Sequence, residues 1–298
     1  MEREEAGQRL DRVVIRRVPG LGRKRAAQLF AEGAVHVDGR RAVKGEPATA
    51  GAELTVELSP TGSLAAEPDA SLDVRLEMPE LVVVSKPAGQ PSVPLADTEP
   101  GSLAGALLGR YPEMRSVGYR PREPGLLHRL DTQTSGLLVA ARSAPVFEHL
   151  RAELSAGRLV KHYLAIVGAN GIDDQGTIDA PIAPDRSNRK RVRVGEDIEN
   201  RHAARRARTR YRVVKRNARF ALLEVEVSHA YRHQVRAHLS FIGHPIAGDV
   251  LYGGEPVEAL GARHALHASY VAWAGDAAVP AIAVEDRLPD DLRLLFDD

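Results

Sequence analysis

The stretch that decides the fold is "GLLHRLDTQTSGLLVAA", from Gly125 to Ala141. Its end, "GLLVAA", has the length and apolar character of a buried strand. A short polar turn precedes this strand and carries Arg129 and Asp131. A carboxylate on such a turn either caps it, by accepting N–H groups from Gln133 or Thr134, or takes part in chemistry.

The composition is that of an ordinary folded protein. The chain has 298 residues, of which 43% are hydrophobic and 27% charged, so it is long enough for one large domain or two unequal ones. No apolar run approaches the roughly 18 residues that cross a bilayer. The start of the chain, "MEREEAGQRL", is charged where a signal peptide is apolar. We therefore expect a cytoplasmic protein with no membrane partner.

Cysteine content and charge distribution restrict the chemistry further. The chain has no cysteine, which excludes thiol nucleophiles, disulfides and the usual zinc and iron–sulfur sites. The net charge is only +1, but basic residues are concentrated between Arg186 and Arg219. This region is either a solvated pair of charged strands or a phosphate-binding surface, because guanidinium groups bind phosphate through two hydrogen bonds.

Changes in residue pattern and composition divide the chain into three parts. We predict a compact module over residues 1–58, a linker over residues 59–73 and a larger domain over residues 74–298. The linker, "SPTGSLAAEPDASLD", is rich in proline, serine and alanine.

The module has the pattern of two helices followed by a hairpin. "RLDRVVIRRV" and "GRKRAAQLFAEG" predict helices, the second ending at Gly33, and the Asp38-Gly39 turn predicts a hairpin before the last strand, "AGAELTVEL". Cations at the amino end of the second helix oppose the helix dipole and indicate an anionic partner. The pattern from Gly7 to Leu58 resembles the RNA-binding module of a small-subunit ribosomal protein. The resemblance implies that RNA is bound by Arg23, Lys24 and Arg25.

The sequence pattern predicts that the larger domain belongs to the α+β class. Strands are predicted at "LVVVSKPAG", "GLLVAA" and "KHYLAIVGA", and as a hairpin formed by "RARTRYRVV" and "FALLEVEVS". Helices are predicted at "APVFEHLRAELSAG" and in "RHQVRAHLSFIGHPIAGD". No glycine-rich phosphate loop is present, so a nucleotide-binding fold is not indicated.

Four segments of this domain resemble one enzyme family. "HRLDTQTSGLLV" is similar to the active-site motif of the RluA-type pseudouridine synthases. "LVVVSKPAGQPSVP", "KHYLAIV" and "RHQVRAHLSFIGHPIAGDVLYGG" resemble three other motifs in the same order, between Leu81 and Trp273. The resemblance implies a pseudouridine synthase fold, with a mixed, mainly antiparallel central sheet flanked by helices. It also implies isomerisation of specific uridines in structured RNA, with ribosomal RNA favoured and transfer RNA as the alternative.

The resemblance assigns roles to individual residues. Asp131 is the implied nucleophile, attacking either the anomeric carbon of the ribose or the uracil ring. Arg236 pairs with this buried aspartate and keeps it ionised. Tyr163 is implied to stack on the target base and to help move the proton from the ring carbon. Arg129 fills the space left when the base is extruded from its stack. His128 is interpreted as structural and Lys86 as structural or phosphate-facing. No metal or organic cofactor is implied, because no oxidation state changes, and we expect a monomer.

One departure from the family pattern leaves alternatives open. The chain has "AYRHQ", from Ala230 to Gln234, where the family usually has Gly-Arg-Thr-His-Gln, and Arg232 is a candidate for the missing arginine. The departure is compatible with a catalytically weak RNA-binding protein, although retention of the three implied catalytic residues argues against it. A carboxylate hydrolase acting on sugars would need a second acidic residue facing the first, and no second acidic motif stands out.

Overall fold

A computed structural model describes residues 1–18, 21–57, 64–94, 99–195, 204–227 and 229–297. Five side chains lie outside the described part, those of Arg3, Lys24, Arg25, Gln28 and Glu32. The chain forms two compact units, Met1–Ser63 and Leu64–Asp298.

The first unit contains the two helices and the hairpin that its sequence predicts. Its elements are α1 (Leu10–Arg17), α2 (Arg23–Glu32), β1 (Val35–Val37), β2 (Arg40–Arg41) and β3 (Leu54–Val56). Strand β1 lies between the other two and is antiparallel to both. Helix α2 ends at Gly33, which adopts the left-handed conformation, with a φ of 77°, that glycine reaches without strain. The helices and sheet enclose a small apolar core that includes Val13, Leu29 and Val35.

The second unit is built on a mixed sheet. Its strands are β4 (Asp73–Glu77), β5 (Leu81–Lys86), β6 (Ser135–Ala141), β7 (Val160–Gly168), β8 (Gln175–Asp179), β9 (Ile182–Pro184), β10 (Val192–Val194), β11 (Arg208–Arg216), β12 (Phe220–Val227), β13 (Leu266–Trp273) and β14 (Ile282–Glu285). Nine of them form one sheet in the order β4-β5-β6-β13-β7-β12-β11-β8, with β14 paired to β13. Strands β6 and β13 are parallel, and the other neighbours in this sheet are antiparallel. Strands β9 and β10 form a separate hairpin.

Helices cover the sheet, which is buried on both faces. They are α3 (Leu103–Arg110), α4 (Ala144–Ser155), α5 (Gln234–Phe241) and α6 (Asp290–Arg293). Along β5, Val82 and Val84 join one apolar cluster while Leu81 and Val83 join another. Burial on both faces explains why the central strands have continuous apolar sequences rather than an alternating pattern. No helix among the described residues has both the length and the apolar character needed to cross a membrane.

Gly136 allows the parallel contact on which the site depends. It has a φ of 114°, and a Cβ at this position would lie 2.2 Å from the backbone oxygen of Ala268 on β13. Only glycine fits so close an approach of two backbones. The glycine of "TSGLLV" therefore fixes how β6, and the turn before it, lie against β13.

The second unit begins earlier than the predicted boundary at residue 74. Leu64 is buried in the main apolar core of this unit. The backbone N–H of Glu67 donates to Gly105 on α3, and its carboxylate accepts from the N–H of Gly101. These contacts make the segment from residue 64 to residue 73 part of the packed unit, so it is not a free linker. Residues 59–63 lie outside the described part of the chain.

Candidate active site

The turn that carries Asp131 is held by the loop after strand β5. The hydroxyl of Ser92 donates to the carbonyl of Leu130 at 2.8 Å and accepts from its N–H at 3.0 Å. The N–H of Gly89 donates to the carbonyl of Thr132 at 2.8 Å. Two motifs that are separate in sequence therefore form one rigid support beneath the carboxylate.

Lys86 completes this support. Its ammonium group is fully buried and donates to three backbone carbonyls, those of Pro87, Gln90 and Thr132, at 2.7–3.1 Å. Burial lowers the pKa of Lys86 to about 7, against the opposing effect of the Asp131 charge. The three carbonyls accept all three N–H groups of the ammonium form. Lys86 is therefore structural, and the phosphate-facing alternative is wrong.

Asp131 forms an ion pair with Arg236. Nη1 of Arg236 donates to Oδ2 of Asp131 at 2.7 Å, and the two residues are 105 positions apart in the chain. The aspartate side chain is 26% exposed, so it is open to the cleft and not buried as the sequence interpretation supposed. The N–H of Thr134 donates to the backbone carbonyl of Asp131. A backbone hydrogen bond therefore closes the turn. The carboxylate of Asp131 pairs with Arg236 and does not cap the turn.

Asp249 is a second carboxylate on the same guanidinium. It accepts from Nε and Nη2 of Arg236 at 2.7 and 2.8 Å, and its side chain is only 1% exposed. Burial by itself lowers the pKa of Arg236, but the hydrogen bonds to Asp249 and the charge of Asp131 outweigh that effect and raise it. Arg236 is buried and charged, not the surface residue of a helix.

His233 lies near the second carboxylate oxygen of Asp131 and contacts Tyr252. Nε2 of His233 is 3.6 Å from Oδ1 of Asp131, and Nδ1 lies 2.9 Å from the hydroxyl of Tyr252. That hydroxyl also accepts the N–H of Val192 at 2.9 Å, and its own proton is available to Nδ1 of the histidine. When the hydroxyl donates to Nδ1, the neutral imidazole carries its proton on Nε2, which faces Asp131. Burial lowers the pKa of His233, which keeps the ring neutral at pH 7.

Tyr252 also orients the arginine. Cζ of Arg236 lies 5.1 Å from the centroid of the Tyr252 ring, within the range of a cation–π contact. The backbone of His233 adopts the left-handed conformation, with a φ of 55°, immediately before helix α5 begins. This sparsely populated conformation directs the imidazole toward Asp131 and is held in place by its hydrogen bond to Tyr252.

The site opens into a cleft of about 1220 Å³. Four of the predicted residues line this cleft: Arg129, Asp131, Tyr163 and Arg236. Tyr163 is 6% exposed and lies on strand β7. Burial, and then the charge of Asp131, raise the pKa of Tyr163 above its usual value, so the phenol is neutral at pH 7.

Arg129 is arranged differently from Arg236. Its side chain is 51% exposed, and Nη1 donates to Glu123 at 3.0 Å. An exposed pair of this kind is worth about 0–1 kcal/mol, so Arg129 is free to leave it. Arg232 donates to the backbone carbonyl of Arg189 and is exposed.

The predicted cations of the first unit lie on α2. Arg23 is exposed at the start of the helix, where the first turn has no acidic residue. The side chains of Lys24 and Arg25 lie outside the described part of the structure.

The basic region of the sequence is largely neutralised where it forms strand β11. Arg208, Arg210 and Arg212 project from this strand and pair with acidic residues on the neighbouring strands, at 2.6, 3.7 and 2.8 Å. The arginines of β11 therefore belong to a solvated face on which each is paired with an acidic residue. Residues 196–203 of the same region lie outside the described part. Among the described residues, no group of three or more histidine or acidic side chains is placed to hold a metal ion.

Comparison with known proteins identifies the family. Residues 80–241 match the family described as RNA pseudouridylate synthase. The chain belongs to this family. The synthase is 37% identical to an uncharacterized RNA pseudouridine synthase of Chloroflexus aurantiacus, over 90% of its own length and 82% of the relative's. It is 33% identical to ribosomal large subunit pseudouridine synthase D of Pseudomonas aeruginosa, over 98% of its own length and 92% of the relative's.

Solved structures share the fold of the synthase. Human RNA pseudouridylate synthase domain containing 1 aligns with a TM-score of 0.56 at 20% identity, over 76% of this chain and 94% of that one. Family membership confirms that the protein is an isomerase that converts uridine to pseudouridine in RNA. It also confirms the predicted pseudouridine synthase fold, with its mixed sheet and helices.

Three residues of the site were missed by the sequence interpretation: His233, Asp249 and Tyr252. The signal for each was present, because all three lie in the segments compared with the last family motif, "AYRHQVR" and "HPIAGDVLYGG". Asp249 is a second acidic residue of the site that the sequence interpretation did not single out. It binds Arg236 and does not face Asp131 across a substrate space, which disfavours the hydrolase alternative.

Proposed function

We propose that the synthase isomerises uridine in large-subunit ribosomal RNA, with Asp131 as the nucleophile. The observation that carries this proposal is the exposed carboxylate of Asp131, held by Arg236 at the wall of a cleft large enough for a nucleotide. The relative from Pseudomonas aeruginosa, which the chain matches almost end to end, is named for the large ribosomal subunit. Transfer RNA is the alternative substrate.

The two oxygens of Asp131 have different environments, which suggests how it reacts. Oδ2 accepts a short hydrogen bond from Arg236, whereas Oδ1 has only the Nε2–H of His233 at 3.6 Å. Oδ1 is therefore the oxygen that attacks, either at the anomeric carbon of the ribose or at the uracil ring. In the first route, the carboxylate displaces N1 of uracil, the base turns, and C5 displaces the carboxylate in turn. C5 then loses its proton and N1 gains one, so that uridine and product have the same composition.

Tyr163 enters this reaction as a neutral phenol. Its raised pKa makes the phenolate unfavourable, so it stacks on the base and donates a hydrogen bond more readily than it removes a proton. The carboxylate released at the second displacement is the base that takes the proton from C5. Tyr163 and Asp131 line the same cleft, as this division of roles requires.

Arg129 acts on the RNA in this proposal. It lies at the cleft, two residues before Asp131, with half of its side chain exposed. Breaking its weak pair with Glu123 costs little, so the guanidinium is available to occupy the gap left by an extruded base.

The first unit is proposed to bind RNA. Its helices, hairpin and exposed Arg23 support this role, together with the basic residues Lys24 and Arg25 at the start of α2. Deleting residues 1–58 is expected to weaken RNA affinity and to reduce its salt dependence, because phosphate contacts release counterions. If the deletion leaves the salt dependence of RNA affinity unchanged, Arg23, Lys24 and Arg25 do not contact RNA phosphates.

Mapping of pseudouridines tests the substrate. Pseudouridines are mapped across total RNA from cells with and without the gene, and from cells complemented with wild type or Asp131→Asn. We expect one or more sites in large-subunit ribosomal RNA to disappear with the gene and to return with wild type only. Loss of transfer RNA sites alone would reject the ribosomal substrate, and restoration by Asp131→Asn would reject the nucleophile.

A further inference from the structure

Lys161 is a buried cation that the reaction described above does not use. It lies on strand β7, two residues before Tyr163, so both side chains project from the same face of the sheet. Lys161 is 4% exposed and lines the cleft. None of the residues that the structure describes accepts a hydrogen bond from its Nζ or forms an ion pair with it. The stem of the side chain is thus buried, while the ammonium group is open to the cleft and available to an anionic ligand.

The nearest charged neighbour of Lys161 has the same sign. Arg151, on helix α4, also lines the cleft, and its Nη1 donates to the carbonyl of Leu127 at 2.6 Å. Burial, and then the charge of Arg151, lower the pKa of Lys161 to about 8, so the ammonium form still predominates at pH 7. Two cations therefore converge on one end of the cleft.

Asp131 does not neutralise this pair. The ion pair of Asp131 is with Arg236, and it forms none with Lys161 or Arg151. Lys161 and Arg151 thus line the same cleft as Asp131 and Tyr163 without being neutralised by the aspartate.

We propose that Lys161 and Arg151 bind a backbone phosphate of the RNA, next to the nucleotide that is isomerised. This inference rests on the proposed function. RNA carries one anionic phosphate per nucleotide, and a lysine ammonium binds phosphate as a point charge. Positions 161 and 163 are roughly 7 Å apart along the strand. A nucleotide whose base faces Tyr163 therefore places a neighbouring phosphate within reach of Lys161. The site supplies affinity for the RNA, and not proton transfer.

Neutral replacements of single phosphates test the proposal. The probe is an oligonucleotide containing a uridine that wild type isomerises, with each flanking phosphate replaced in turn by an uncharged methylphosphonate. For wild type, one replacement is expected to weaken binding roughly tenfold. Lys161→Met should lose a similar factor on the unmodified RNA, be less sensitive than wild type to that replacement because only Arg151 remains, and show a salt slope lower by about one. Equal sensitivity of Lys161→Met and wild type to both replacements would overturn the proposal.

Folding controls separate binding from structure. Lys161→Met removes an unpaired buried charge, so its melting temperature is expected to equal or exceed that of wild type. A lower melting temperature together with weaker binding would show a structural role and overturn the proposal. Lys215→Met is the matched control, because Lys215 is exposed on β11 and packs over Phe296. It should leave affinity and salt slope unchanged.

Two further readouts distinguish the competing explanations. A fall in the single-turnover rate of Lys161→Met at saturating RNA, with unchanged affinity, would indicate proton transfer and overturn the proposal.

Inorganic phosphate, at constant ionic strength, is tested for its effect on the melting temperature of the full chain. If inorganic phosphate raises the melting temperature of wild type while no methylphosphonate weakens RNA binding, the site binds free anions. That result would overturn the assignment to an RNA phosphate. Failure of the ribosomal mapping would leave the methylphosphonate test intact, since its probe is any RNA that wild type isomerises.

Discussion

Asp249 holds Arg236 by two hydrogen bonds, from Nε to Oδ2 at 2.7 Å and from Nη2 to Oδ1 at 2.8 Å. The remaining edge of the guanidinium donates through Nη1 to Asp131. Asp249 is nearly inaccessible to solvent, whereas Asp131 faces the cleft. The buried carboxylate therefore fixes the direction in which Arg236 presents its charge to the reacting one.

Asp249→Asn is expected to reduce catalysis without a comparable effect on RNA affinity. The amide cannot accept both hydrogen bonds, so Arg236 loses its fixed orientation and Asp131 its positioning. We expect the single-turnover rate to fall at least about tenfold and the unfolding free energy to fall by about 2 kcal/mol. The control is Asp179→Asn, which removes an exposed partner of Arg208 and should change neither. A wild-type rate for Asp249→Asn would show that the bridge has no catalytic importance.

Arg236→Met is expected to destabilise the fold mainly through Asp249. Removing the arginine leaves a buried carboxylate without its partner, which costs about 3–5 kcal/mol. The double variant Arg236→Met with Asp249→Asn should recover part of this stability, because the unpaired charge is removed. It should not recover activity, because Asp131 still lacks its cation. Urea unfolding and single-turnover rates measure the two effects, and recovery of activity in the double variant would contradict the assigned role.

Arg129→Ala should differ from Arg236→Met in its dependence on the RNA. Arg129 is assigned to base extrusion, so the defect should be large on structured RNA and smaller when the target uridine is already unstacked in a flexible single strand. The Arg236→Met defect should persist on both RNAs, since it lies in the pairing with Asp131. Single-turnover rates of both variants on both substrates provide the test. Equal rescue of the two variants would show that their roles are wrongly assigned.

Tyr252→Phe should lower the rate through His233. The hydroxyl of Tyr252 fixes the protonated nitrogen of the imidazole and accepts the N–H of Val192. Its removal frees the histidine to turn its proton away from Asp131 and leaves a buried N–H unpaired, a cost of about 1–3 kcal/mol. We expect a several-fold fall in single-turnover rate with little change in affinity. Tyr211→Phe, at a buried tyrosine on β11, is the matched control, and equal rates for both variants would exclude the tautomer mechanism.

The stability of the fold should fall at acidic pH because buried histidines are held neutral. Burial lowers the pKa of His264 to about 3, and it lowers those of His128, His233, His238 and His267. A histidine with a depressed pKa contributes stability that is complete above its unfolded value, about 6.5. That contribution is lost as pH falls toward its folded value. For His264 the affected range is thus from about pH 6.5 to about pH 3.

The slope of stability against pH measures this contribution. Between pH 6 and pH 4, His264 lowers the unfolding free energy by roughly 1.4 kcal/mol per pH unit. His264→Asn should reduce the slope by about that amount, whereas His229→Asn, at an exposed position, should leave it unchanged. Urea unfolding at a series of pH values provides the measurement. Identical slopes for His264→Asn and wild type would show that His264 does not titrate as described.

Local sequence patterns were sufficient for most elements of the fold and for the central pair of the site. The helices of the first unit and the strands around "GLLVAA" are present where residue spacing predicted them, because helix and strand periodicity depend on near neighbours. Asp131, Tyr163 and Arg236 were recognised from short motifs, and the structure brings all three to one cleft. Their catalytic roles remain proposals.

Tertiary structure decided the features that depend on residues distant in the chain. The sequence could not show that Asp249 would take two hydrogen bonds from Arg236, that Tyr252 would orient His233, or that Lys161 would be buried without a partner. The sequence also could not show that the arginines of β11 pair with acidic residues on the neighbouring strands. A sequence gives the number of charged residues. The strength of each electrostatic interaction depends on the distance between the charges and on their burial, and only the folded structure determines both.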